Sequence, residues 1–228
     1  MPGAGAVTAR GAATRQKLLA AAETVFADLG YHDASIVRIT EAAGVGQGTF
    51  YLYFESKLAI FEHLVEDLNR RVRRAMSEGM AGTTNRIDAE RAGFRAFFEF
   101  TAVHPALYRV IREAELVSPR ALRLHYTRIV DGYIDGLTRA QDRGEVGDID
   151  PTVAAWALMG IGEMIGMRWV LWGAEPSEGA AAIGPGAAGT ARVPDDVFDD
   201  MMRFIRRGLA APDTETTQAR EREREGER

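Results

Sequence analysis

The sequence predicts an all-α protein: an N-terminal helix-turn-helix three-helix domain followed by a larger helical domain. Apolar residues recur at spacings of three and four along most of the chain. A short helix opening at Ser35 runs into Gly44 and is followed at once by a second, which is the pattern of a helix-turn-helix. Ser118-Pro119 and Asp150-Pro151 each place a side-chain cap before a proline at the first helical position, the start signal of a long helix.

Residues 1–13 are small and rich in Gly and Ala, with Arg10 the one charged side chain, and read as a flexible arm. From Thr14, the positions Leu18, Leu19, Ala22, Val25, Phe26 and Leu29 make the apolar face of a first helix that Gly30 stops. Ser35 is a good N-cap, and Ile36, Ile39 and Ala43 give the next helix its apolar face. Gly44 ends it, because a left-handed turn costs glycine little. On a following helix, Phe50 and Phe54 fall on one face while Gly48 and Leu52 fall on the other, with Gln47, Thr49, Tyr51 and Tyr53 on the flanks. One face is anchored, and the slim, uncharged opposite edge suits a major groove. Geometry alone is equally compatible with a packed helical corner.

The stretches Thr14-Arg15-Gln16-Lys17-Leu18-Leu19, Gly30-Tyr31, Ile39-Thr40-Glu41-Ala42-Ala43-Gly44-Val45, Gly48-Thr49-Phe50-Tyr51-Leu52-Tyr53-Phe54 and Ser56-Lys57 move that balance. With Ala22 and Phe26 they make residues 14–62 resemble the DNA-binding domain of the TetR/AcrR family of bacterial repressors. The resemblance implies that Ser35, Tyr51, Tyr53 and Lys57 hold phosphates and that Gln47, Gly48 and Thr49 lie along base edges. The Thr49 methyl and Leu52 are suited to thymine methyls, and the Lys57 ammonium to acting as a point charge. Val37 departs from the longer polar or basic side chain of many family members, which shifts base reading to the second motif helix. The resemblance further implies two protomers on a palindromic double-stranded DNA operator and a small molecule in the larger domain that changes the separation of the reading heads.

Beyond Phe54, Ser56 caps a long helix through Leu58, Phe61, Val65, Leu68 and Val72 to about Ser77, the mechanical link between the halves. Its Arg70, Arg71, Arg73 and Arg74 read as a solvated face. After a loop over 79–85 comes a helix with Phe94, Phe97, Phe98 and Phe100, broken at His104-Pro105. Helices over 105–117, 119–144 and 153–172 follow. The last has Glu163 and Arg168 as its only charges and belongs in the core, in a subunit interface, or in both; Gly160, Gly162 and Gly166 would admit a partner backbone. Residues 173–193 read as a loop, and Val197, Met201, Phe204, Ile205 and Leu209 as one side of a final helix. The domain organisation is thus an arm over 1–13, a DNA-binding domain over 14–60, a ligand-binding and dimerisation domain over 61–211, and a charged, disordered tail over 212–228.

Composition narrows the function. Without cysteine there are no disulfides or cysteine-based zinc sites, and the four histidines are scattered, so no metal is expected. The glycine clusters lack the spacing of a phosphate loop, and no Gly-x-Ser-x-Gly element occurs; the reading is a non-enzyme without a cofactor. No long apolar run or signal peptide is visible, which suits a cytoplasmic protein. Net charge is −5, and residues 10–57 carry five basic and five acidic side chains, so a single copy should bind DNA modestly and need a homodimer. Phe97, Tyr108, Arg112, Tyr126, Tyr133, Trp156, Met164 and Arg168 are the ligand-pocket candidates. Tyr-Leu-Tyr-Phe before an apolar, arginine-dotted domain is similar to some fatty-acid- or acyl-CoA-responsive members, which implies an apolar or amphipathic effector. The other reading is a helical small-molecule-binding or interaction module without sequence-specific DNA binding, separated from the first by its lack of salt-dependent retention on DNA.

Overall fold

A computed structural model describes residues 9–173 and 192–210, and its regular structure is helical throughout. Helix α1 (Ala9–Asp33) begins inside the stretch expected to be an arm. Ala9, Ala12 and Ala13 favour helix strongly, and the Thr14 hydroxyl donates back to the Arg10 carbonyl at 3.0 Å, so nothing stops the helix from extending upstream of Thr14. Its far end bends at Gly30, whose φ of 74° and ψ of 171° no L-residue adopts without strain. Residues 1–8, most of the 173–193 loop and all of the 212–228 tail lie outside the described residues.

Helix α2 (Ile36–Ala43) is capped by the Ser35 hydroxyl, which accepts from the Arg38 N–H at 3.2 Å, and closes on Gly44 at φ 65°. Helix α3 (Gln47–Tyr51) is a single turn and a half, shorter than the spacing predicts. Phe54 nonetheless stays beside Phe50, its N–H bonded to the Phe50 carbonyl at 3.0 Å, and both rings are buried with centroids 5.7 Å apart. With Leu18, Leu19, Phe26, Ile39 and Phe61 they form the core of the three-helix unit.

Helix α4 (Lys57–Met80) starts under the Ser56 cap, which accepts from the Ala59 N–H at 3.0 Å, and crosses into the second unit. Helices α5 (Arg86–Val103), α6 (Ala106–Val117), α7 (Pro119–Asp142) and α8 (Pro151–Gly166) complete most of that unit. Asp150 caps α8 through the Thr152 and Val153 N–H groups at 2.7 and 3.0 Å. The chain then continues as a π-helical turn over Met167–Leu171, closed by Trp172 N–H on the Met167 carbonyl at 3.0 Å. Helix α9 (Asp195–Leu209) buries Phe198, Met201, Met202, Ile205 and Leu209; Phe204, expected with them, is 69% exposed. No described helix is long and apolar enough to cross a membrane.

Candidate functional site

The edge opposite Phe50 and Phe54 faces outward. Gln47 and Gly48 are exposed, Leu52 is 80% exposed, Tyr51 is exposed beside them, and Thr49 and Tyr53 are half-buried. An ideal Cβ at Gly44, Gly46 or Gly48 meets nothing, so the whole turn leaves space for a second molecule. Ser35 is half-buried at the start of α2, and its hydroxyl, accepting from Arg38, still has its own proton to donate. These residues lie together on the two helices of the turn, α2 and α3, and at the positions flanking them.

Lys57 is different. It sits beside this edge, but its ammonium donates to the carbonyls of Tyr31 (2.7 Å), His32 (3.2 Å) and Ala34 (2.8 Å) and lies 4.4 Å from the centre of the Tyr31 ring. A lysine has three N–H donors, and all are used. In the protein alone the ammonium is a clamp that ties the start of α4 to the end of α1. Its partners are backbone carbonyls far upstream, which carry no side-chain signature.

The second site is a cavity inside the larger unit. Phe94 and Phe97 of α5, Leu107, Tyr108 and Ile111 of α6, and Met76 of α4 form one side. His125, Tyr126, Ile129 and Tyr133 of α7, with Met159, Gly162 and Glu163 of α8, form the other. Of the residues proposed from sequence, Phe97, Tyr108, Tyr126 and Tyr133 line it. Four do not. Trp156 and Met164 are exposed on the outer side of α8, Arg112 donates to the Met167 sulfur at 3.1 Å, and Arg168 donates to the Gly173 carbonyl at 3.0 Å. A helix that is apolar all round does not reveal which face turns inward.

Polar groups in the cavity are few and placed. The Tyr126 hydroxyl donates to the Glu163 carboxylate at 3.0 Å, and burial, reinforced by that carboxylate, pushes its pKa up. The Tyr108 hydroxyl is buried beside Thr101, and burial pushes its pKa up. It lies over Gly166, and Gly162 faces Phe94, where a Cβ would stand 2.9 Å from the ring. These two glycines therefore make room for cavity aromatics rather than for a partner backbone. Only Gly160 opens outward.

His125 is buried, and its Nδ1 lies 3.1 Å from the Asn69 amide nitrogen, which donates to it and to the His125 carbonyl (2.9 Å). Burial lowers its pKa from 6.5 to about 4. Between those values the unfolded chain binds a proton that the fold does not, so stability falls as pH drops from neutrality, by about 2 kcal/mol at pH 5. Melting temperatures at pH 7 and pH 5 are expected to differ less in His125→Gln than in the unmodified protein. Equal shifts would show that His125 titrates normally.

Helix α6 joins the two sites. Leu107, Tyr108 and Ile111 face the cavity, whereas Arg109 donates to the Ala27 carbonyl of α1 at 2.7 Å and the Glu113 carboxylate accepts the Tyr31 N–H at 2.9 Å. On the outside of α8, Val153, Trp156, Ala157, Gly160 and Met164 form an exposed, uncharged stripe at helical spacing.

Comparison with known proteins finds likenesses in the N-terminal domain and, at the level of fold, over most of the chain. The profile of the tetR family of bacterial regulatory proteins matches residues 18–64. The HTH-type transcriptional activator FasR of Mycolicibacterium smegmatis is 37% identical over 108 residues, 46% of this chain, and the match spans about half of that relative's length (48%). The fatty acid metabolism regulator protein of Bacillus subtilis is 28% identical over 161 residues, 62% of this chain and 82% of its own. The fold is that of the transcriptional regulator FadR from Bacillus subtilis, solved in complex with stearoyl-CoA: TM-score 0.67 at 20% identity, covering 85% of this chain and 98% of that one.

Proposed function

We propose that this chain, which belongs through its N-terminal domain to the tetR family of bacterial regulatory proteins, is a cytoplasmic, homodimeric transcriptional repressor released from its operator by an amphipathic acyl effector. The observation that carries the reading is the double contact of α6, with cavity on one face and α1 on the other. The cavity holds only about 50 Å³ of free space, whereas ligand pockets are typically several hundred Å³. A fatty chain must therefore displace side chains, and Leu107, Tyr108 and Ile111 move α6 with them. Arg109 and Glu113 pass that displacement to Ala27 and Tyr31, next to the reading unit. An effector that favours the displaced arrangement lowers operator affinity, and the operator lowers effector affinity by the same factor. The complex of the FadR neighbour with stearoyl-CoA supports an acyl chain as the occupant.

At the operator, Gln47, Gly48, Thr49 and Leu52 face base edges, and Ser35, Tyr51 and Tyr53 face phosphates. Fluorescence anisotropy with DNA from upstream of its own gene tests the whole reading. Stearoyl-CoA is expected to release the protein, while scrambled DNA binds weakly throughout. Thr49→Ala is expected to cost about 1–3 kcal/mol on the operator and little on scrambled DNA. Equal binding of both DNAs would instead favour a small-molecule module without sequence recognition.

A further inference from the structure

Outside the apolar cavity, a cleft of about 760 Å³ runs between α4 and α7. Met76, Ile129 and Tyr133 line both spaces and form the partition between them. The cleft wall carries five arginines, Arg70, Arg73, Arg74, Arg86 and Arg128, against three carboxylates, those of Glu78, Asp131 and Asp135.

The helix does not need this charge. Arg70 and Arg74 are one turn apart, a like-charge spacing that disfavours helix, and both lie too far from the end of α4 for its dipole to draw them. Several of the guanidinium groups are already paired, Arg70 with Asp67 and Arg74 with Glu78, and Arg128 is 4.0 Å from Glu66. Arg73 meets no carboxylate; it donates to the Arg128 carbonyl at 3.2 Å. Arg86 is buried over the Tyr133 ring, 5.8 Å from its centre, and its guanidinium is paired with the buried Glu90 carboxylate, leaving only its Nε–H without an acceptor.

We propose that this cleft seats the phosphate-bearing head of the effector, with Arg73 and Arg128 as its main contacts, while the acyl chain passes the Tyr133 partition into the cavity. The assignment rests on the amphipathic-effector reading above and adds to it the polar half of the ligand. The shared chemistry is a phosphorylated head on an apolar chain, and arginine is suited to it because its planar fork pairs with phosphate oxygens.

Calorimetric titration of the full-length protein with decanoyl-CoA and with decanol separates head from chain. The Arg73→Ala, Arg128→Ala double variant is expected to bind decanoyl-CoA about tenfold more weakly or worse, as for lost charge-assisted hydrogen bonds. Its decanol affinity and its operator binding without ligand stay at wild-type values. Coenzyme A without a chain competes with decanoyl-CoA in the wild type, and inorganic phosphate at the same concentration does not. If the wild type binds neither ligand, the effector reading fails and this one with it. If it binds both and the double variant loses neither, or loses both equally, the head-group assignment alone is overturned.

Discussion

Gly160→Arg is expected to give a folded monomer whose operator affinity is lower by about a hundredfold or more. The stripe Val153, Trp156, Ala157, Gly160 and Met164 is an exposed, uncharged face of α8, with Trp156 at 48% exposure, and no described residue covers it. Gly160 lies within it, and an added Cβ there meets no atom, so the substitution leaves the protomer intact. Between two copies, however, the guanidinium would be buried without a partner, which breaks an interface. Half an operator is then all that one molecule can hold, and the avidity of the second head is lost. Sedimentation equilibrium and anisotropy on the same samples measure both effects. A variant that remains dimeric with native affinity would place the seam elsewhere. Gly162→Arg, an apparently similar change, is no substitute, because it drives a side chain into Phe94.

Lys57→Ala is expected to lower stability by about 2–4 kcal/mol, with a fall in melting temperature of roughly 5–15 °C. Three carbonyls lose a charged donor, and the Tyr31 ring loses its cation. DNA binding weakens through the loosened seat of the reading unit, equally on operator and scrambled DNA. A lysine acting on a phosphate alone predicts another pattern, an unchanged melting temperature and a salt slope reduced by about one per protomer. Calorimetry and a salt series distinguish the two.

These predictions rest on parts of the protein that the sequence disclosed unevenly. Helix starts were legible because their signals are local: Ser56, Ser118-Pro119 and Asp150-Pro151 each act within three residues. The anchored and presented sides around Phe50 were legible because burial there follows helical periodicity. The inward face of α8 was not, since Trp156 and Met164 are as apolar as Met159 beside the cavity. Met76 and His125 join the cavity only through the packing of α4 and α7, which no local pattern encodes. The arginines of α4 read as one solvated face, yet Arg71 crosses to Glu23 of α1 at 2.6 Å while Arg70, Arg73 and Arg74 turn to the cleft.

The bend at Gly30 bears on how the halves can be recombined. Between it and α2 lies a short segment, Tyr31 to Ala34, that is gripped from both sides, by Glu113 on the Tyr31 N–H and by Lys57 on the Tyr31, His32 and Ala34 carbonyls. A Cβ at Gly30 would itself stand 2.6 Å from a Glu113 oxygen. The reading unit is consequently not a cassette that can be cut before Lys57 and joined to another effector domain. A working hybrid has to carry α6 with its Arg109 and Glu113, or re-create their seat on α1, because the grip that orients the DNA-facing end belongs to the half that would be discarded.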